Sequence, residues 1–173
     1  MPLLGEPEMD LVGQAVHAFL AADRIRDETD RRRSQAALVL ERWTVTGHLR
    51  PEDLVEAADR LWSFLAQRFP SARLRREVPV FAPIASQYIV GRIDLLVDLG
   101  STFAIVDHKS FPGRAEFWEG KAVDVAPQLA TYAQAVGAAT GSICSGLFVH
   151  MPVVGTMVEV GEISAALAST SVP

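Results

Sequence analysis

Three residues of this 173-residue chain could do chemistry together: Asp94, Asp107 and Lys109. Each aspartate interrupts an apolar run, in Ile93-Asp94-Leu95 and Val106-Asp107-His108. Lys109 is one of only two lysines, set against fourteen arginines. The stretches 87–98 and 102–110 are rich in Ile, Val and Leu and are separated by Gly100-Ser101, so they read as a β-hairpin with a tight turn. With Gly100 and Ser101 as the two turn residues, opposed residues sum to 201. Asp94 then faces Asp107 with Cβ atoms about 4.5–5.5 Å apart. Like charges at that spacing repel, and a divalent cation is the simplest compensation. Hard oxygen donors favour Mg²⁺ or Mn²⁺. The two-residue strand period puts Lys109 on the face of Asp107, Phe103 and Ile105. There an ammonium can orient or deprotonate a water, or stabilise charge growing on a phosphoryl oxygen. His108 points to the opposite face and reads as structural, which leaves its backbone carbonyl as a further ligand. The same register sum puts Arg92 opposite Lys109, an arrangement that suits a phosphate between two cations. The bland alternative places both aspartates at solvated strand ends, with Lys109 as their ion-pair partner.

The elements that must position these residues read as α-α-α-β-β-β-α-β-β. A first helix spans 10–22, with Asp10 as N-cap and Val12, Ala15, Val16, Phe19 and Leu20 at helical spacing. Arg24 to Arg33 reads as a charged loop or helix end, and 35–46 as a second helix. Pro51 starts a third helix, with Leu54, Ala58, Leu61 and Leu65 on one stripe and Pro70 beyond its end. Residues 74–82 form the first strand, before the hairpin. Pro112-Gly113 breaks the chain, and a loop runs to about 122. Asp124 caps a helix over 124–140, with Pro127 in its first turn and Gly141 at its end. Two strands, 143–150 and 156–160, finish the fold. This is one α/β (α+β) domain over 1–173: a helical part at about 1–70 and a sheet core at about 73–160.

Composition narrows the function classes. Apolar residues make up 49% and charged residues 21%, which supports a packed core. The net charge of −5 argues against a generic polyanion binder, although local basic patches and bound metal can reverse the sign where it matters. A single cysteine, Cys144, excludes an internal disulfide, a Cys-rich zinc site and an iron–sulfur cluster. No apolar run reaches about 18 residues, and the N-terminus does not read as a signal peptide, so a cytoplasmic protein without membrane contact is expected. No Walker A motif occurs, hence no ATP site. Without heptads or another interface signal, a monomer is expected. Secondary candidates are Glu77, which could approach the site or sit at a solvated strand end; the arginines at 24, 26 and 31–33, and at 73, 75 and 76; and Phe117 and Trp118. His48 and His150 match no motif and read as structural or exposed.

Gly91-Arg92-Ile93-Asp94-Leu95-Leu96, Ile105-Val106-Asp107-His108-Lys109-Ser110 and Gln128-Leu129-Ala130-Thr131-Tyr132 follow in that order, with Gly13-Gln14-Ala15-Val16-His17 upstream. From about residue 10 to 150 the chain resembles the PD-(D/E)XK nuclease superfamily, and more narrowly the RecB/AddA-type nuclease domain at the C-terminus of UvrD-like helicases. The resemblance implies a restriction-endonuclease-like core: a central mixed sheet of about five strands flanked by helices. It implies that Asp94, Asp107 and the His108 carbonyl bind Mg²⁺ or Mn²⁺, with His17 as a further ligand. Lys109 would position the attacking water, and Gln128 and Tyr132, at i and i+4, would support the site or contact the strand. The activity implied is metal-dependent hydrolysis of DNA, with a single-stranded end or unwound strand as substrate. A helicase motor would come from the same parent chain or a partner. The sequence departs from the pattern in having His108 where an aromatic residue is common. Two other readings stay open: a catalytically silent nuclease-like module for DNA binding or helicase docking, and a metal-dependent phosphohydrolase of small substrates.

Overall fold

The computed structural model describes residues 1–84 and 87–160; residues 161–173 of the expected domain lie outside them. The elements are α1 (Met9–Ala22), α2 (Thr29–Arg42), α3 (Pro51–Arg68), β1 (Arg73–Ile84), β2 (Gln87–Asp98), β3 (Thr102–His108), a 3₁₀ turn (Ala115–Phe117), α4 (Trp118–Thr140), β4 (Ile143–Met151) and β5 (Thr156–Glu159). The chain divides into two compact units. Among the described residues, one comprises Met1–Ala72, His108–Gly113 and His150–Met157, and the other lies within 73–107, 114–149 and 158–160. No helix among the described residues is long and apolar enough to cross a membrane.

In the first unit α1, α2 and α3 pack on one another through their apolar stripes. Val12, Ala15, Val16, Phe19 and Leu20 of α1 are buried, as are Leu54, Ala58, Leu61 and Leu65 of α3. Pro51 opens α3 as expected, and the Asp53 carboxylate at N3 accepts from the Arg50 backbone N–H at 3.3 Å and from its guanidinium. The Arg50 guanidinium holds the Asp53 carboxyl below the usual carboxylate range. Two boundaries differ from the sequence reading. Glu8, not Asp10, occupies the N-cap of α1, and Asp10 lies in the first turn. Helix α2 starts at Thr29 and ends at Arg42 rather than spanning 35–46. Its first turns are polar, which hides them from a hydrophobic-period reading. They are nevertheless anchored, because Arg32 is buried. Its guanidinium grips Asp23 through Nε at 2.7 Å and Nη2 at 3.0 Å, and reaches Asp59 through Nη1 at 2.7 Å.

The sheet has five strands in the order β1-β2-β3-β4-β5. Strands β1, β2 and β3 are antiparallel neighbours. The link from β3 to β4 runs through α4, and the contacts keep a constant offset: Ile143 N–H to Ser101 O, Ser145 Oγ to Phe103 O, and His150 beside His108. An offset that stays at 42 residues along both strands means that they run in the same direction, so the sheet is mixed. Edge strand β1 tolerates Pro79 and Pro83, whose missing N–H groups cost nothing on an open edge.

Helix α4 begins at Trp118, six residues before the expected start at Asp124. Pro127 is therefore interior rather than in the first turn, and it removes one ladder donor. Thr131 Oγ1 donates to the Pro127 carbonyl at 2.8 Å. The helix ends as expected at Gly141, which is left-handed at φ 73° and donates its N–H to Gly137 O.

Candidate active site

The β2–β3 register matches the expectation. Leu95 pairs with Val106, Leu96 with Ile105, Val97 with Ala104 and Asp98 with Phe103. The turn closes through Leu99 N–H to Thr102 O at 2.9 Å, with Gly100 at φ 88°. The ladder ends at Leu95–Val106, and its register carried one step further would set Asp94 against Asp107. On the other side of β2, the pairs Arg76–Leu95 and Val78–Ile93 flank a position where Glu77 stands against Asp94. Glu77 on β1 thus stands beside Asp94 on β2, and Asp107 lies on the neighbouring strand β3. Asp107 is buried, and Glu77 and Asp94 are half-buried. Glu77 and Asp94 each present a carboxylate oxygen within 4.8 Å of the other. Glu77 sits at φ 52°, in a region that non-glycine residues rarely adopt and that costs of order 1–3 kcal/mol. Arg92 Nη1 donates to Glu77 Oε2 at 3.2 Å.

Sequence reasoning had Glu77 only as a strand-end residue that could approach the site. The signal was the register sum of the β1–β2 hairpin, 171, set by Ile84 pairing with Gln87. That hairpin has no Gly at its tip to announce its register, whereas Gly100 announces the next one.

Arg92 corrects an expectation. Its strand partner is Pro79 and its side chain serves Glu77, and the β2–β3 ladder does not reach as far as Arg92. Lys109 corrects another. The strand expected to 110 ends at His108, so Lys109 lies one residue past it and strand alternation does not set its direction. Its backbone N–H donates to His150 O at 2.8 Å, which fixes the main chain as it leaves the sheet.

In the unit that holds α1, His17 projects from the middle of that helix. Its Nε2 lies 2.8 Å from the carbonyl oxygen of His108. A carbonyl only accepts, so Nε2 carries the proton here. The residue whose carbonyl is held follows Asp107 directly in the chain. The His108 ring is buried as expected, and its Nδ1 lies 3.1 Å from Nδ1 of His150. One of these nitrogens donates and the other accepts, so the rings hold opposite tautomers. Strand neighbours at an offset of 42 share a face, which explains the pairing. His150 is therefore a buried structural partner, and burial, aided by His108, pushes its pKa well below the ordinary histidine value. Gly13 meets only the Ser110 Cβ, at an ordinary 3.9 Å, so no close approach demands a glycine there.

Gln128 and Tyr132 come together on α4, with Gln128 Nε2 donating to Tyr132 Oη at 3.3 Å. Tyr132 is buried, and its hydroxyl lies against Gly91 of β2. A Cβ at position 91 would sit 2.2 Å from that oxygen, so the glycine three residues before Asp94 is a steric requirement.

The donor set suits a hard divalent cation. Bonds of about 2.1 Å in an octahedral shell put neighbouring ligand atoms about 3 Å apart and opposite ones about 4.2 Å apart. The Glu77–Asp94 spacing is compatible with that scale. The Glu77 and Asp94 carboxylates are hard oxygen donors of the kind a hard divalent cation takes. Burial pushes the thiol of Cys144 up, which keeps it protonated at neutral pH.

No curated protein matches the chain. A family model does: that of the PD-(D/E)XK nuclease superfamily, over residues 4–158. Members are nucleases that generally use divalent metals, and the mixed five-stranded sheet with N-terminal helices agrees with their restriction-endonuclease-like fold. With that match over most of its length, the chain belongs to the PD-(D/E)XK nuclease superfamily.

Proposed function

We propose that this chain is a Mg²⁺- or Mn²⁺-dependent DNase that hydrolyses phosphodiester bonds as the exonuclease module of a RecB-like helicase–nuclease in DNA repair or recombination. The observation that carries this reading is the pair of carboxylates, Glu77 on β1 and Asp94 on β2, brought together beside strand β3 with its Asp107. Asp94 and Asp107 hold the cation, with His17 and the His108 carbonyl as further ligands and Glu77 beside Asp94. When bound, the cation supplies Lewis-acid neutralisation of charge on the phosphoryl group. Lys109 orients the attacking water and takes up charge as the bond to phosphorus forms. Gln128 and Tyr132 hold the β2 backbone near Asp94 through Gly91. Since no Walker A motif lies in this sequence, an ATP-driven, UvrD-like motor that unwinds DNA is a partner or another part of a longer parent chain. The module works as a monomer in the cytoplasm.

The test is cleavage of end-labelled single-stranded and duplex DNA with Mn²⁺, Mg²⁺ or EDTA, for the parent and for Lys109→Ala. Metal-dependent cutting that drops at least a hundredfold in the variant, with an unchanged melting temperature, supports the reading. A variant that cuts as fast as the parent removes Lys109 from the site. A folded parent that binds Mn²⁺ and DNA but never cuts supports the silent-module alternative.

A further inference from the structure

The outer half of the β1–β2 ribbon carries apolar side chains that the core does not use. Phe81 is 71%, Tyr88 69% and Val90 75% exposed. Phe81 pairs with Val90 and Pro83 with Tyr88, so these four side chains share one face. The rings of Phe81 and Tyr88 stack, with centroids 5.4 Å apart and planes 17° from parallel. Along β2, alternation puts Tyr88, Val90, Arg92 and Asp94 on the same side in the ribbon's own frame. Six residues at about 3.4 Å each separate Tyr88 from Asp94, roughly 20 Å.

We propose that Phe81 and Tyr88 form a base-stacking platform for an unpaired nucleic-acid strand that runs along this face toward Asp94. The proposal rests on the nuclease reading, since it is the position of Asp94 on the same face that identifies the occupant. A strand offers flat π-faces of any sequence, which two exposed parallel aromatic rings can extend. The guanidinium of Arg92, 65% exposed, lies between platform and carboxylate and can face a phosphate. A stable protein partner needs about 20–30 residues on each side, and this patch offers only a handful. Stacking also lets a chain of net charge −5 hold nucleic acid without a broad basic surface.

The test uses the full chain and a fluorescent oligothymidylate, with binding read by anisotropy in EDTA so that cleavage cannot interfere. The double variant Phe81→Ala/Tyr88→Ala is expected to bind about tenfold or more weakly, since each base–aromatic stack is worth roughly tenfold. Its melting temperature should not move, because both side chains are exposed. Tyr88→Trp should keep the affinity, and its indole fluorescence should be quenched on binding. Phe81→Leu/Tyr88→Leu keeps the apolar surface without the rings and should bind as weakly as the alanine pair. A parent that does not bind, an alanine pair within twofold of the parent, or a leucine pair that binds normally would each overturn the platform; the last would show that apolar contact without ring stacking holds the strand. Hydrolysis of bis(p-nitrophenyl) phosphate with Mn²⁺ keeps the two readings apart, because that ester is too small to reach from Asp94 to the tip. Parent and alanine pair should hydrolyse it equally. If neither does, the nuclease reading fails and the binding series still decides the platform.

Discussion

Two clusters of charge in this molecule are built on opposite principles. Around Asp23 the signs alternate. Its carboxylate is fully buried and accepts from Arg32 through two nitrogens and from Trp62 Nε1 at 2.8 Å, and Arg32 reaches on to Asp59. Around Asp94 the signs repeat. Glu77 stands beside it on β1, and the β2–β3 register leads to Asp107 on its other side. Burial alone does not tell structure from function here, since Asp23 and Asp107 are both buried. The order of signs differs: alternating charges satisfy one another and hold three helices, whereas Glu77 and Asp94 set like charges side by side, with Arg92 on Glu77.

That contrast can be broken by mutation. The largest effect is expected in catalysis: Asp94→Asn or Asp107→Asn should lower metal-dependent cleavage at least a hundredfold. Neither should cost much stability without metal, because each removes a repulsion, and a urea midpoint equal to or above the parent's is expected. Asp23→Ala should do the reverse. It leaves the Arg32 charge buried beside a void and should cost about 3–5 kcal/mol in urea unfolding, with the cleavage rate per folded molecule retained. If Asp23→Ala proved harmless and Asp94→Asn unfolded the chain, the contrast would be inverted.

A smaller effect tests the support around Asp94. Gly91→Ala drives a methyl into the Tyr132 hydroxyl and should cost about 1–3 kcal/mol, with part of it recovered in Gly91→Ala/Tyr132→Phe. The smallest concerns the buried imidazoles. The unfolded chain protonates His150 near pH 6.5, and the folded chain only at a pH well below that. Between those values unfolding takes up a proton, so stability falls as pH falls, by at most about 1.4 kcal/mol per pH unit. Melting temperatures from pH 7 to 5 should show this slope, and His150→Gln should flatten it.

The hairpin that carries Asp94 and Asp107 was legible because Gly100-Ser101 marks a two-residue turn, and a register follows from turn length by counting. The order of elements was legible from apolar periodicity and from Pro51, Gly141 and Pro112-Gly113. What stayed hidden had a common cause: features that depend on partners distant in sequence. Arg32 looks like part of a solvated run until Asp23 and Trp62 are brought to it. Glu77 looks like a strand end because the tip of its hairpin lacks turn chemistry. The early turns of α4 have too little periodicity to outweigh Pro127. His150 shows its role only when β4 is laid beside β3.

The contact between Gly91 and Tyr132 has a consequence for descent. Positions 91 and 132 are 41 residues apart, yet position 91 cannot drift alone, because a side chain at 91 and a tyrosine at 132 claim the same volume. Lineages that acquire alanine or serine at 91 should have shed the tyrosine first, or moved its ring. The pair is thus a two-letter test of which relatives still brace Asp94 from behind and which have released it.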